Sequence, residues 1–139
     1  MSDLQESDPQ VLESETAGFD SLRAEISREM VRLYKEQFGR GPTKARTEFA
    51  GPDIVICTLE HSLTPAEQSL AVMGEHQRLR DTRMYFQHAT EKEFRHVIER
   101  LVGRPVRAFV SGIDTCVDVS SEVFHLGRKG DAPGPIAGV

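Results

Sequence analysis

The spacing of apolar residues along the chain predicts two amphipathic helices. From about Asp20 or Ser21, either of which can cap a helix, apolar residues recur every three or four positions up to residue 38. A longer stretch with the same spacing covers about residues 75–102. Gly39 and Gly103 follow these stretches, and glycine commonly ends helices because it adopts a left-handed conformation freely. The two apolar stripes contain Leu22, Ile26, Met30, Leu33 and Phe38, and then Leu79, Arg83, Phe86, Thr90, Phe94, Val97, Ile98 and Leu101.

Shorter stretches have the patterns of β-strands. Alternation of apolar and polar residues, or a continuous apolar run, predicts strands over residues 43–49, 54–59, 106–110 and 119–126. A glycine–proline turn at residues 50–53 joins the first two strands into an antiparallel hairpin. Residues 111–114 are expected to form a loop or turn before the last strand.

A short helix is predicted between the first hairpin and the long helix. Thr64 fits the N-cap, Pro65 fits the first helical position, and Glu67 can accept a hydrogen bond from the cap backbone. Gly74 is expected to break or bend this helix. The element order predicts an α+β fold: a four-stranded, mostly antiparallel sheet of two hairpins, with an N-terminal helix and a long central helix packed on one face.

The chain of 139 residues is long enough for one domain with a sizeable core. Residues 1–18 are acidic and poor in apolar side chains, so we expect a disordered tail. Residues 19–126 form the predicted domain. Residues 127–139 contain glycine and proline without periodicity, and we expect a second disordered tail there.

The charge balance bears on the possible partners. The 17 Lys and Arg residues are outnumbered by 22 Asp and Glu residues, which gives a net charge of -5 and argues against nucleic-acid binding. The acidic N-terminus does not resemble a signal peptide, and no apolar run is long enough to span a bilayer. We therefore expect a cytoplasmic protein without direct membrane insertion.

The thiols and imidazoles do not form a recognisable metal site. Cys57 and Cys116 lie far apart in apolar stretches, which favours buried, reduced cysteines over reactive or metal-binding ones. The histidines lack the spacing of zinc ligands, and we expect them to be solvated or partly buried. They are His61, His76, His88, His96 and His125. The pattern predicts neither a metal nor a cofactor.

Some charged residues need a structural interpretation. Asp114, Asp118 and Glu122 could act as an acid–base or cation site, but turn chemistry and solvent-facing strand positions explain them better. Arg83 falls near the apolar stripe of the long helix, so a buried guanidinium would need a carboxylate partner. Glu60 and Glu67 are equal candidates for that partner.

The turn between the first helix and the first strand is the candidate binding site. Gly39, Arg40, Gly41, Lys44 and Arg46 bring backbone N–H groups and positive charge together, which suits an anion or an acidic partner surface. The spacing and the helix-to-strand order differ from those of a phosphate-binding P-loop. Basic residues at a helix C-terminus also stabilise the helix dipole, so a structural turn is the alternative.

Four blocks of the sequence resemble the MpsC-like family of small bacterial proteins. They are residues 39–45 (Gly-Arg-Gly-Pro-Thr-Lys-Ala), 63–67 (Leu-Thr-Pro-Ala-Glu), 101–106 (Leu-Val-Gly-Arg-Pro-Val) and 123–126 (Val-Phe-His-Leu). The family is a domain of unknown function named for a sodium-translocating, membrane-potential-generating system whose other components are membrane proteins linked to inorganic-carbon uptake. The resemblance therefore implies an accessory or regulatory protein that works beside a membrane transport protein, and it implies no catalytic residues.

Two functions remain open from the sequence. The first is a soluble accessory protein that acts by binding, which the lack of a catalytic constellation favours. The alternative is a small-anion or nucleotide sensor, or an enzyme, that uses the Gly39–Arg46 turn. The apolar content of the strands and the long helix also predicts a homodimer formed through a helix or a sheet edge.

Overall fold

The computed structural model describes residues 9–136 of the chain, with side chains from residue 17 onward. The helices and strands follow one another in the order predicted from the sequence. They are α1 (Pro9–Phe38), β1 (Lys44–Phe49), β2 (Ile54–Glu60), α2 (Pro65–Val72), α3 (His76–Val102), β3 (Val106–Asp114) and β4 (Val119–Leu126).

The strands form a single antiparallel sheet in the order β1-β2-β4-β3. The two hairpins, β1–β2 and β3–β4, are therefore joined by pairing between β2 and β4 at the centre of the sheet. This arrangement confirms the predicted α+β fold. Strand β3 continues to Asp114, so the prediction of a loop over residues 111–114 was wrong, because pairing with β4 extends to Val119.

The core lies between one face of the sheet and the two long helices. Helix α1 packs against β1 and α3, and α3 packs against β3. The side chains of this core alternate along the strands and follow the predicted stripes of the helices. They are Ile26, Met30, Leu33, Tyr34, Val55, Cys57, Leu59, Phe94, Val97, Ile98, Val106, Phe124 and Leu126.

The sequence predicts the C-terminal ends of α1 and α3 better than the N-terminal start of α1. Gly39 and Gly103 both have φ of 78°, the left-handed conformation predicted for residues that end a helix. By contrast, α1 begins at Pro9 rather than near Asp20 or Ser21. A cap-forming residue marks a possible helix start, but it does not prevent a helix from extending further towards the N-terminus.

The predicted tails are only partly within the described structure. Residues 1–8 and 137–139 lie outside the described residues, and residues 9–18 belong to α1. Residues 127–136 contain no helix or strand, yet Gly134 N–H donates to the Val106 carbonyl at 3.0 Å. The boundaries of the domain and its tails stay a prediction.

The two cysteines have different environments. Cys57 is buried in the core as predicted, and burial raises its pKa to about 12, so the side chain remains a thiol at neutral pH. Cys116 is exposed, and the prediction of a second buried cysteine was wrong. The reason is that Cys116 lies in the turn between β3 and β4 and not in a strand.

Candidate functional site: a buried polar network

A charged side chain, Arg83, lies inside the molecule with only 1% of its surface exposed. Its position on the inner stripe of α3 brings the guanidinium against α2 and the loop that follows β2. Nε and Nη2 donate to the two carboxylate oxygens of Glu67 at 2.6 and 2.7 Å, and Nη2 also donates to the Ser62 carbonyl at 3.0 Å. The guanidinium carbon lies 3.8 Å from the centre of the Phe38 ring. The predicted burial and carboxylate pairing of Arg83 are confirmed.

Local sequence explains why Glu67 is the partner. Thr64 and Glu67 form the predicted capping box at the start of α2, which fixes the Glu67 carboxylate towards α3. Burial alone would raise the pKa of Glu67, but hydrogen bonds from Arg83 and Thr64 outweigh it and lower the pKa. Glu60, the other candidate, instead lies 3.5 Å from the Lys44 ammonium.

Glu122 in the central strand β4 is fully buried. Its Oε1 accepts hydrogen bonds from the Tyr34 hydroxyl of α1 and from Gln87 Nε2 of α3, the latter at 3.0 Å. The prediction that Glu122 faces solvent was therefore wrong. In β4, Ser120, Glu122, Phe124 and Leu126 point inward together, and the half-buried residues between them form the outer face.

Burial changes the acid–base behaviour of this carboxyl group. Desolvation raises the pKa of Glu122 to about 7, against the opposing effects of the nearby Ser111 and Tyr34 hydroxyl groups and of the Arg83 charge. Burial, followed by the nearby Glu122 charge, also raises the pKa of Tyr34 well above its usual value. Glu122 can consequently bind or release a proton near neutral pH, while Tyr34 remains a hydrogen-bond donor.

Further polar atoms surround the two charged groups. Within the described residues, these buried atoms have no hydrogen-bond partner: Ser62 Oγ, Arg83 Nη1, Ser111 Oγ, Ser120 Oγ and Glu122 Oε2. An unpaired buried polar group costs about 1–3 kcal/mol, so such a cluster is unfavourable for stability alone. The set combines a donor, a carboxyl group and hydroxyl groups, which suits a proton or a small polar molecule.

A narrow cleft connects this network to the surface. The cleft has a volume of about 180 Å³ and lies between α3 and β3. Gln87 and Ser111 line it, and Gln87 also donates a hydrogen bond to the buried carboxyl group of Glu122. The remaining lining residues are Met84, His88, Glu91, Phe109 and Val110. The cleft therefore reaches Gln87, which is one hydrogen bond away from Glu122.

The basic side chains of the predicted binding turn, Arg40, Lys44 and Arg46, do not form one cluster in the structure. Arg40 Nη1 donates to the Leu63 carbonyl at 3.0 Å, and Lys44 lies 3.5 Å from Glu60. Arg46 is exposed on β1, and no described carboxylate lies within ion-pairing distance of it. Gly39 provides the left-handed helix end, while Gly41 approaches the helix so closely that an added Cβ would lie 3.2 Å from Val31 Cγ1. Anion or partner binding by these residues stays a prediction.

The turn and the buried network share the loop that follows β2. Backbone N–H groups of Ser62 and Leu63 donate to the Asp118 carboxylate at 3.0 and 3.1 Å. His61 and Asp118 both have positive φ, 60° and 55°, and His61 N–H donates to the Asp118 carbonyl. Such conformations cost free energy for residues other than glycine. Arg40 of the turn and Arg83 of the buried network both donate to carbonyls of this loop, so the loop links the turn to the network.

Sequence reasoning missed most of this network. Tyr34, Gln87 and Ser111 carry no motif, and they come close to Glu122 only through the tertiary fold. One signal was available, because Glu122 shares its strand face with Phe124 and Leu126, which are apolar. Asp114, by contrast, does cap a turn as predicted, accepting from Cys116 N–H at 2.9 Å.

Neither a metal cluster nor a membrane helix is found in the described part of the chain. Over residues 9–136, no group of three or more His, Cys, Asp and Glu residues is placed to hold a metal ion. The helices within the same range are too short or too polar to cross a bilayer.

Comparison with known proteins gives one family. The family model described as "Na+-translocating membrane potential-generating system (MpsC)" matches residues 20–128, which include the whole sheet, α2 and α3. No curated protein and no solved structure matches the chain.

Proposed function

The chain belongs to the MpsC family, and from this membership we propose that it is a soluble, cytoplasmic accessory or regulatory protein of a membrane-potential-generating system. In this proposal it binds a membrane component that transports ions or inorganic carbon, and it performs no catalysis itself. The family match, which covers the buried network as well as the sheet, is the observation that carries the proposal.

Exposed apolar side chains at the α2–α3 end of the molecule support a binding role. Helix α2 has no buried side chain, and Val72 at its end is 89% exposed. Met73 follows it at 71% exposure, and Tyr85 of α3 is 73% exposed. We call these three residues the α2–α3 apolar surface and infer that they form one contact site. Exposed apolar patches on a protein commonly mark contact sites for other proteins.

In this proposal, the protonation state of the buried network regulates binding at the α2–α3 apolar surface. Protonation of Glu122 removes a negative charge that faces Arg83, and Arg83 holds Glu67 of α2 through two hydrogen bonds. A change at Glu122 can thus alter the position or stability of α2, which carries part of the α2–α3 apolar surface. The proposed protein would then respond to cytoplasmic pH near neutrality, where Glu122 titrates.

A reconstitution experiment tests this function. Membrane vesicles are prepared from cells of the source species that lack this chain, and a potential-sensitive dye reports sodium-dependent potential formation. Purified chain is expected to raise the rate of potential formation, or to lower it if the protein is an inhibitor. The variant Val72→Ser/Met73→Ser/Tyr85→Ser should lose this effect, since it removes apolar area from the proposed contact.

The matched control changes an exposed apolar residue elsewhere. Val117 in the turn between β3 and β4 is 61% exposed, and Val117→Ser should act like the unchanged chain. Both variants should keep the unfolding free energy within about 1 kcal/mol, because their side chains are solvated. Absence of any effect of the unchanged chain on the potential would contradict the proposed function.

A further inference from the structure

The face of the sheet that points away from the helices has an apolar centre. Helices α1 and α3 pack on the inner face, where the rings of Phe109 and Phe124 stack on each other. Because side chains alternate along a strand, Val110 and Val123 lie on the outer face. The register places Ile56 beside Val123, so these three residues form one row across β2, β4 and β3. A solvated face of an antiparallel sheet is usually polar, and this row departs from that pattern.

The neighbouring row on the same face consists of small residues. Thr58 pairs with Ser121, and Ser121 pairs with Gly112, so this row crosses the same three strands. Each member lies two positions along its strand from a member of the apolar row and therefore on the same face. The space above Gly112 is open, since an added Cβ would meet no other atom within 4 Å. A row of large side chains thus lies beside a row that leaves room for such side chains.

The edge strand β1 extends both rows with opposite charges. Glu48 pairs with Ile56 and Arg46 pairs with Thr58, and both charged side chains are exposed. Among the residues whose side chains are described, no basic group lies within ion-pairing distance of Glu48, and no acidic group lies within that distance of Arg46. Both charges are therefore available to a partner.

A second copy of this chain fits this surface. Rotation by half a turn about an axis that crosses the strands between the two rows sets the large row of one copy on the small row of the other. The same rotation sets Arg46 opposite the partner's Glu48, and it repeats this contact with the roles exchanged. Such a two-fold contact matches the surface to itself in both shape and charge.

We propose that the outer face of the sheet binds a second copy of this chain in this orientation. Sheets that pack face to face lie about 10 Å apart, a gap that an arginine and a glutamate can span together. The apolar row forms the centre of the contact and the Arg46–Glu48 pairs form its rim. This surface is neither the helix nor the sheet edge predicted from the sequence. It shares no residue with the α2–α3 apolar surface and does not depend on the function proposed above.

The size of the face sets the expected strength of association. A sheet of four strands, about 4.8 Å apart and about eight residues long, offers a flat area of roughly 500 Å² on each copy. The total of about 1,000 Å² is at the lower limit for specific interfaces. We therefore expect a dimer of moderate affinity whose formation is sensitive to the rim charges and to salt.

Charge reversal at the rim tests the proposal. Arg46→Glu and Glu48→Arg each place like charges opposite each other at both rim contacts, and each should weaken self-association by about tenfold or more in sedimentation equilibrium. The double variant Arg46→Glu/Glu48→Arg exchanges the two charges and should associate as the unchanged chain does. At about 1 M salt, the loss caused by either single change should fall below about threefold, because the charges are screened.

A mixture of the two single variants distinguishes this arrangement from other dimers. Both rim contacts of a mixed dimer join opposite charges, so native mass spectrometry of an equimolar mixture should show mixed dimers well above the share of about one half that random pairing gives. Arg28→Glu and Glu25→Arg are matched controls, because they make the same changes at exposed positions of α1, on the other side of the sheet. Each control should associate as the unchanged chain does, and their mixture should pair randomly.

Three results would overturn the proposal. The first is an unchanged chain that sediments as a monomer at micromolar concentration. The second is self-association of the single variants as tight as that of the unchanged chain, and the third is a random share of mixed dimers. Loss of folding is not expected to obscure these results, since both side chains are exposed and substitutions at such positions change stability little.

Discussion

Replacing Glu122 by glutamine keeps the shape of the buried side chain but removes its ability to lose a proton. The amide oxygen can still accept from Tyr34 and Gln87, as Glu122 Oε1 does. The difference in free energy of unfolding between the two proteins therefore measures how much the ionised carboxylate destabilises the fold. Its effect should depend on pH, whereas a simple packing defect would give the same loss of stability at every pH.

The magnitude follows from the difference in pKa between the folded and unfolded chain. The pKa of Glu122 is raised from 4.5 to about 7 by burial, so the folded state favours the protonated form. The stability that this preference provides is complete below the unfolded pKa and is lost as the pH rises through the folded pKa. At 1.36 kcal/mol for each pKa unit, the unchanged chain loses about 3 kcal/mol between pH 4.5 and pH 8.

Urea unfolding followed by circular dichroism at several pH values measures this loss. At pH 4.5 the free energies of unfolding of Glu122→Gln and the unchanged chain should agree within about 1 kcal/mol. At pH 8 the variant should be more stable by about 3 kcal/mol, because the unchanged chain then buries a charged carboxylate. Subtracting the two curves cancels the titration of groups that both proteins share.

An exposed glutamate supplies the control. Glu48 lies on β1 and faces solvent, so Glu48→Gln should shift the stability by less than about 0.5 kcal/mol across the same pH range. The reasoning fails if the difference between Glu122→Gln and the unchanged chain is flat with pH. It also fails if an NMR titration of the Glu122 carboxyl carbon gives its usual pKa.

Further outcomes are expected for other parts of the molecule. Arg83→Met leaves the partly buried Glu67 carboxylate without its partner and should cost about 1–3 kcal/mol in chemical denaturation, and retention of full stability would contradict the interpretation of this pair. Lys44→Gln/Arg46→Gln should leave stability nearly unchanged, since exposed charges contribute little, and should abolish any rise in melting temperature that inorganic phosphate causes at low salt. If phosphate binding survives the double substitution, the turn is purely structural. Light scattering at micromolar concentration should give the mass of a homodimer, and a monomer would exclude association through a helix or a sheet edge.

The fold could be predicted from local patterns because each element carries its own signal. The helical stripe of α1 and α3, the alternation of β1 and the capping box at Thr64 and Glu67 depend on residues close together in sequence. The start of α1 could not be predicted in the same way. Residues 9–19 contain few apolar side chains, so periodicity gave no indication of a helix there.

The candidate site was harder to predict because its residues come from distant elements. Arg83 was recognised because a cation on an apolar stripe requires a partner, although the choice between Glu60 and Glu67 needed coordinates. Glu122 was assigned to solvent because both faces of β4 contain apolar residues, so alternation alone could not say which face is inner. The unequal environments of the two faces arise from α1 and α3, which cover only one of them.

The strand order β1-β2-β4-β3 constrains how the chain can reach its folded state. The central pairing joins Glu60 to Val119 and Ile54 to His125, so it spans both helices α2 and α3 in sequence. Loop closure over such a distance slows folding. During synthesis, β2 leaves the ribosome with an unpaired edge that stays exposed until β4 has emerged. Chaperone protection of this edge, or its capture by another nascent copy, therefore competes with completion of the sheet.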